Sequence, residues 1–312
     1  MNSLHAQGVF QHPAVIQHRG VLPAFRVRLM GTRGGRASHG AWLPITPTGG
    51  ALGFLMTPLG LGPGSLAGIR LLSWPRTVEA AREIQEQLRS RVKLGGGPRE
   101  VKRIAGADIA YDRTGLAFAA VVVMSFPDGR IIESAHAAGF PHFPYVPGYL
   151  TFREGPFLLA ALSRLPQLPD LCLFDGQGLA HPRRFGLACH MGVLLDMPSI
   201  GCAKSLLVGV HGEPGPERGK WSPIRLEGKE VGAALRTRAG VKPIFASPGH
   251  RINLKDAIRW TLATSRYRVP EPIRLAEQLV NRLKLSAKPQ TPSSSPPRWP
   301  GTGVRDQAPV DH

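Results

Sequence analysis

Nine consecutive residues, Leu116 to Met124 (LAFAAVVVM), carry no polar side chain. The run is too short for most helices and rich in valine. Turn-forming residues bound it, Asp112 to Gly115 on one side and Pro127-Asp128-Gly129 on the other, so it reads as a central strand covered on both faces. The two tight turns predict antiparallel neighbours at Val101 to Tyr111 and Arg130 to Ala138. Upstream, Thr77 and Glu79 predict the start of a helix whose apolar positions Val78, Ala81, Ile84, Leu88 and Val92 approach a 3.6 period and which ends at Gly95 to Gly97. Downstream, a proline-rich loop from Phe140 to Gly148 leads to a helix over about Tyr149 to Leu165. A strand at Leu171 to Phe174, a helix over about Arg183 to Leu195 and a strand at Ser199 to Ala203 follow, joined as parallel crossovers.

Three meandering strands followed by alternating helix and strand is the order of the ribonuclease H-like fold. The expected class is therefore α/β, with a central mixed sheet of three antiparallel strands and then parallel strands, flanked by helices. Not all of the 312 residues take part in that pattern. The first 73 contain six arginines, no lysine and no acidic residue, with scattered glycine and proline, and read as a disordered or mis-called extension with Met56 as an alternative start. Within them the apolar run Ala51 to Leu61 is too short and too broken by glycine and proline to span a bilayer. Residues 286–312, with six prolines and a Ser293 to Ser295 run, read as a disordered tail. The expected domain is 74–285.

Charge narrows the function. Lysine plus arginine number 39 against 21 acidic residues, a net charge of +18, of which 1–73 carry +6 and 286–312 carry +1, leaving +11 on the domain itself. A basic folded domain suits a polyanionic partner, against the plainer reading of an inert basic surface. Cys172, Cys189 and Cys202 are odd in number, lack C-x-x-C spacing and lie in apolar segments, as small core residues of a cytoplasmic protein do.

Against that basic background three carboxylates occupy unusual places. Asp175 opens FDGQGLAHPRRFG directly after an apolar strand, where Gly176 and Gly178 let another backbone, a phosphate or a base approach closely. Asp108 lies inside the strand-like IAGADIAY, where an unpaired charge between Ala107 and Ile109 is costly unless paired or metal-bound. Glu154, in YLTFREGP, stands at the front of a helix; a solvated helix residue is an equally good reading of it from composition alone. If the strands of Asp108 and Asp175 are neighbours, both can meet on one hard cation, with Glu154 reaching it from the covering helix. Such an arrangement serves phosphodiester hydrolysis. Lys204, in IGCAKSLLVG, follows a strand and can bind a phosphate oxygen as a point charge. His250, in FASPGHRI, suits a general acid, a metal ligand or a phosphate contact, with His181 and His190 as competitors.

At these residues the chain resembles the endonuclease V family, the deoxyinosine 3′ endonucleases. The motifs GADIAY, PYVPGYLTFREG, DGQGLAHPRRFG, GCAKSLLVG and SPGHRIN occur in the family's order between about Trp74 and Leu285. The resemblance implies Mg²⁺ dependence, with Mn²⁺ as a substitute, and nicking of DNA at the second phosphodiester bond 3′ to deoxyinosine, in DNA repair. It implies Asp108, Asp175 and Glu154 as metal ligands and Lys204 and His250 as catalytic or phosphate-contacting groups. Tyr145 corresponds to the family's wedge, and Gly148, Leu150, Gly178 and Gly186 to the lining of its base pocket. Gln177 and Leu206 depart from residues frequent in the family. The expected partner is deoxyinosine-containing DNA, the expected state a monomer away from membranes. Two alternatives stay open: an endoribonuclease acting at inosine in RNA, and a non-catalytic nucleic-acid-binding protein.

Overall fold

The computed structural model describes residues 74–287. The extensions expected at 1–73 and at the far C-terminus lie outside that span, apart from Ser286 and Ala287. Within it, one 8-stranded mixed sheet runs in the order β3-β2-β1-β4-β5-β8-β7-β6. The chain enters it through helix α1 (Val78–Arg89), then lays down β1 (Arg103–Tyr111), β2 (Ala117–Ser125) and β3 (Ile131–Gly139). Helix α2 (Leu150–Leu162), strand β4 (Leu171–Phe174), helix α3 (Leu187–Leu195) and strand β5 (Ser199–Ala203) follow. The last part adds β6 (Trp221–Leu226), β7 (Lys229–Leu235), β8 (Ile244–Pro248), α4 (Leu254–Ala263) and α5 (Glu271–Ser286). The pairs β1–β4 and β4–β5 are parallel, and β1–β2, β2–β3 and β5–β8 are antiparallel. This is the ribonuclease H-like arrangement expected from the pattern of apolar runs.

Strand pleating sorts the apolar residues to two faces. Ala105, Ala107, Val121, Val123, Cys172 and Phe174 pack against Leu158, Leu162, Ala188 and Met191 of α2 and α3. The alternate positions Ile104, Val122, Met124, Leu171 and Leu173 pack against Ala257, Trp260, Ile273 and Ala276 of α4 and α5. All of β2 but its last residue, Ser125, is buried, so it is covered on both faces as expected. At Gly106 the sheet meets α5 so closely that a Cβ would stand 2.0 Å from the carbonyl carbon of Pro272.

Two expectations need adjustment. Helix α1 is capped by Thr77, whose side chain accepts from the Ala80 N–H at 3.3 Å, but it stops at Arg89. Val92 still packs beneath it with Leu88 and Phe185. Helix α3 starts at Leu187 rather than near Arg183, because residues 181–186 are held in a loop: Arg184 has φ 50° and the Gly186 N–H returns to Gly178 O at 3.0 Å. The three cysteines are free and buried, as core residues.

Candidate active site

Adjacent parallel strands bring the first two carboxylates together. In the β1–β4 register Ala107 pairs with Phe174, and the Asp175 N–H donates to Ala107 O at 3.1 Å, so Asp108 and Asp175 are successive partners at the same end of the sheet. Asp108 falls on the face that Ile104 and Gly106 turn toward α5. There Lys204, the residue after β5, reaches Asp175 Oδ2 at 2.9 Å and Glu277 Oε1 at 3.2 Å. Glu154 approaches from α2, on the other face, and its Oε1 accepts from the Tyr111 hydroxyl at 3.3 Å. The Arg153 guanidinium lies 4.8 Å over the Tyr111 ring.

Glu277 is a carboxylate that sequence reasoning missed. Its helix, EPIRLAEQLVNRLKLS, is an ordinary amphipathic one in which a glutamate is unremarkable. One signal was available: Glu277 lies four residues after Ile273 and three before Val280, both fully buried, which puts it beside the stripe that packs on the sheet.

Crowding of carboxylates in a poorly solvated place raises their affinity for protons. Burial first, and the neighbouring Asp175 charge second, push Asp108 up to about 7, against a smaller opposing pull from Lys204. Glu154 is pushed up to about 8 by burial, with the Tyr111 hydrogen bond opposing and the Asp108 and Asp175 charges adding. Burial alone would lower the Lys204 ammonium, but Asp175 and Glu277 outweigh it and its pKa is raised, so it stays cationic.

These shifts predict a stability profile. Asp108 and Glu154 have folded-state values above their unfolded ones, so their contribution is fully present below about pH 4 and is lost as pH rises through 7 to 8. In EDTA-containing buffer the melting temperature is expected to fall by on the order of 5–10 °C between pH 5 and pH 8.5. Asp108→Asn is expected to flatten that slope and to raise stability at pH 8.5. A wild-type slope of the opposite sign, or an equal slope in the variant, would refute the assignment.

Oxygen donors of this kind, mutually destabilised as anions, are the set a hard divalent cation satisfies. As they stand, no three acidic, His or Cys side chains among the described residues are gathered tightly enough to hold an ion. The Lys204 ammonium takes the place of a counter-charge on Asp175.

The other predicted residues divide into two groups. Tyr145 is 71% exposed at the tip of the loop between β3 and α2, between Pro144 and Pro147. That loop is rooted by Phe143, fully buried against Tyr149 and Phe152, with the Arg153 guanidinium donating to Phe143 O at 2.9 Å. Gly148 and Leu150 lead from the loop into α2, and Gly178 and Gly186 lie in the loop before α3. Both helices begin with no side-chain cap on their first amides. Gly178 is wedged between strands: its N–H donates to Ser247 Oγ at 2.8 Å, and a Cβ would stand 2.1 Å from Pro248 O. At Gly186 a Cβ would stand 2.4 Å from Gln177 O.

His250 is not brought to the carboxylates. Strand β8 runs antiparallel to β5 and Ile200 pairs with Pro248, so His250 sits just beyond the Ser199 end, about 20 Å along β5 from Lys204. Its Nε2–H donates to Asp196 Oδ1 at 3.0 Å and its Nδ1 accepts from the Lys93 N–H at 3.3 Å. Burial lowers its pKa despite Asp196. His181 and His190 are also buried and are pushed down to about 4 and about 3, chiefly by that burial.

The family model described as Endonuclease V matches residues 86–278. The endonuclease V of Roseiflexus sp. strain RS-1 is 50% identical over 213 residues, covering 68% of this chain and 96% of that protein. This chain belongs to the endonuclease V family. Membership makes it an endonuclease, a hydrolase of nucleic acid. The crystal structure of endonuclease V from Streptomyces avermitilis superposes with a TM-score of 0.65 at 47% identity, covering 67% of this chain and 94% of that one. Ciona intestinalis endonuclease V, seen in complex with a 23-mer DNA containing an inosine followed by a ribo-adenosine, is 29% identical with a TM-score of 0.59, covering 67% of this chain and 97% of that one.

Proposed function

We propose that this endonuclease V family member nicks DNA at the second phosphodiester bond 3′ to deoxyinosine, in repair of deaminated adenine, by Mg²⁺-dependent hydrolysis that leaves a 5′-phosphate. The observation that carries the reading is the pairing of Asp108 and Asp175 on adjacent parallel strands beside Lys204. Asp108, Asp175 and Glu154 would hold the cation, with Glu277 as a further oxygen donor. When bound, it supplies an activated water and neutralises charge on the phosphate undergoing attack. Lys204, held cationic, positions a non-bridging phosphate oxygen as a point charge. His250, buried at the far end of β5 with both ring nitrogens hydrogen-bonded within the protein, takes no part in this chemistry.

Recognition is assigned to the loop that leads into α2, one helical turn before Glu154. An aromatic between two prolines loses little entropy on insertion, so Tyr145 fills the gap left by an extruded base. The glycine-lined walls at Gly148, Leu150, Gly178 and Gly186 present main-chain groups. Hypoxanthine differs from adenine by an oxygen in place of the amine and by a donor at N1, and backbone groups discriminate on that basis. The free buried thiols fit a reducing cytoplasm. No helix among the described residues is long and apolar enough to cross a membrane. The domain at 74–285 is assigned to work as a monomer.

The test is cleavage of matched labelled strands with Mg²⁺: deoxyinosine in DNA, inosine in RNA, the mixed strand with inosine followed by ribo-adenosine, and an unmodified control. An EDTA-sensitive nick one nucleotide beyond deoxyinosine is expected. Cleavage of the RNA strand alone would establish the endoribonuclease reading, and tight salt-sensitive binding with no cleavage would leave a binding protein. Tyr145→Ala is expected to raise the half-saturating enzyme concentration on duplex substrate about tenfold and on single-stranded substrate by less than about twofold, because only a duplex needs its stack opened. Equal losses on both would remove the wedge role.

A further inference from the structure

Three side-chain donors meet on one main-chain oxygen, that of Gly148. Gln85 Nε2 stands 3.1 Å from it, His181 Nε2 2.9 Å and Arg183 Nη2 2.6 Å. The chemistry fixes which atom does what. Arg183 can only donate, so its Nε, 2.5 Å from the Gln85 carboxamide, identifies that atom as the oxygen, and the amide N–H groups of Gln85 face the two carbonyls of Gly148 and Phe185. His181 donates from Nε2 while its Nδ1 accepts from the Arg183 N–H at 3.2 Å, which makes it the neutral tautomer. The Arg183 guanidinium also lies 4.1 Å over the ring of Tyr149, the residue immediately before α2. Gly148 has φ 81°, and a Cβ there would stand 3.0 Å from Arg183 Nη2, so any side chain at this position would strain the backbone and press on the clamp.

A carbonyl oxygen has two lone pairs, so this one is saturated by the protein and is not itself free for a ligand. What the clamp fixes is the plane of the Gly148–Tyr149 peptide, and with it the direction in which α2 starts and the uncapped amide of Leu150 is presented. Gln85 is 1% exposed, comes from α1, and touches both sides of the slot: Gly148 on one and Phe185, next to Gly186, on the other, at 3.5 Å. It lies one residue outside the stretch that the family model matches.

We propose that Gln85 is a positioning residue for base recognition, tying the two walls of the pocket together through Gly148 and Phe185. The proposal rests on the pocket assignment made above. The substrate class it serves is an extruded purine bearing a carbonyl where adenine has an amine.

Gln85→Leu removes every polar contact at nearly constant volume, and Gln85→Glu keeps the Arg183 partner while losing the donors to Gly148 and Phe185. Single-turnover cleavage of a strand with one deoxyinosine, or inosine RNA if that is the polymer wild type cleaves, is followed against enzyme concentration, with unmodified duplex as competitor. Gln85→Leu is expected to raise the half-saturating concentration about tenfold, with the rate at saturation changing less and the competitor's inhibition constant unmoved, since phosphate contacts do not pass through the pocket. Gln85→Glu is expected to show a smaller rise in the same direction, and it decides the matter if the leucine variant does not fold. A fall in melting temperature and saturating rate, with an unchanged ratio of half-saturation to competitor constant in the folded variant, would overturn the positioning role and leave Gln85 a scaffold residue. Absence of wild-type cleavage on either polymer would overturn the nuclease reading itself, a distinguishable result.

Discussion

Asp175→Asn is expected to slow nicking of a deoxyinosine-containing strand at least a thousandfold, to roughly the level that loss of several kcal/mol of transition-state stabilisation implies. The variant keeps the side chain's volume and one oxygen but discards the charge. Asp175 is the residue at which β4 hands over from buried strand to loop, and its side chain is one-fifth exposed where that of Lys204, its partner at 2.9 Å, is about two-fifths exposed. Lys204 retains Glu277 at 3.2 Å when Asp175 is neutralised, so the ammonium stays in place and the fold is expected to survive. Asp108→Asn is expected to behave alike. Salt-sensitive binding of duplex, followed by anisotropy, is expected to stay within about threefold of wild type, because phosphate contacts are spread over the basic surface. Wild-type rates from either variant would refute the assignment of these carboxylates to the chemistry.

A second large effect concerns a residue without a side chain. Gly106→Ala is expected to lower the melting temperature by on the order of 10 °C or more, because the new methyl would stand 2.0 Å from Pro272 C and 2.2 Å from Ile273 N. Those are main-chain atoms of the first turn of α5, and a helix backbone cannot turn aside as a flexible side chain can. Relief requires the whole helix to back away from β1. That motion withdraws Ile273, Ala276 and Val280 from the core and Glu277 from Lys204. Gly212→Ala, where nothing lies within 4 Å of the added carbon, is the matched control and is expected to melt near the wild-type temperature. A Gly106→Ala protein melting within about 2 °C of wild type would refute the close docking of α5.

The elements up to Ala203 were legible because each is an apolar run closed by residues that force a turn. The Asp112 carboxylate, for example, accepts from the N–H groups of Thr114 and Leu116 at 2.8 and 3.0 Å and so turns β1 into β2. The start of α3 was misplaced because Arg183 and Arg184 look like helix residues until Gly148 and Glu227, distant in sequence, claim their guanidinium groups. Beyond Ala203 the strands are short, β6 is exposed or intermediate at every position but Ile224, and β7 and β8, though mostly buried, show no alternation that announces them. That gap explains His250. Without β8 there was no way to see that the antiparallel β5–β8 pair carries SPGH back toward the end of the sheet opposite Asp175. Asp108 and Asp175 were legible because a charge inside or just beyond a buried strand is itself anomalous, whereas Glu154, on a helix, and Lys204, at a strand end, stood out only through the family resemblance. Glu277 and Gln85 were not legible, since each is a polar residue on an amphipathic helix until another element meets it.

The glycine contacts around Gly178 carry a consequence for how this protein can change over generations. Three stretches of bare main chain touch there: a Cβ on Gly178 would strike Pro248 O, one on Gly201 would stand 2.4 Å from Gly178 N, and one on Gly186 2.4 Å from Gln177 O. No single substitution at any of the three is free of a clash with backbone. The shape of that wall is therefore inherited as a unit, and on the proposed reading a lineage drifting toward a different modified base has to do so through side chains beside it, such as Leu150, while the glycines stay locked against one another.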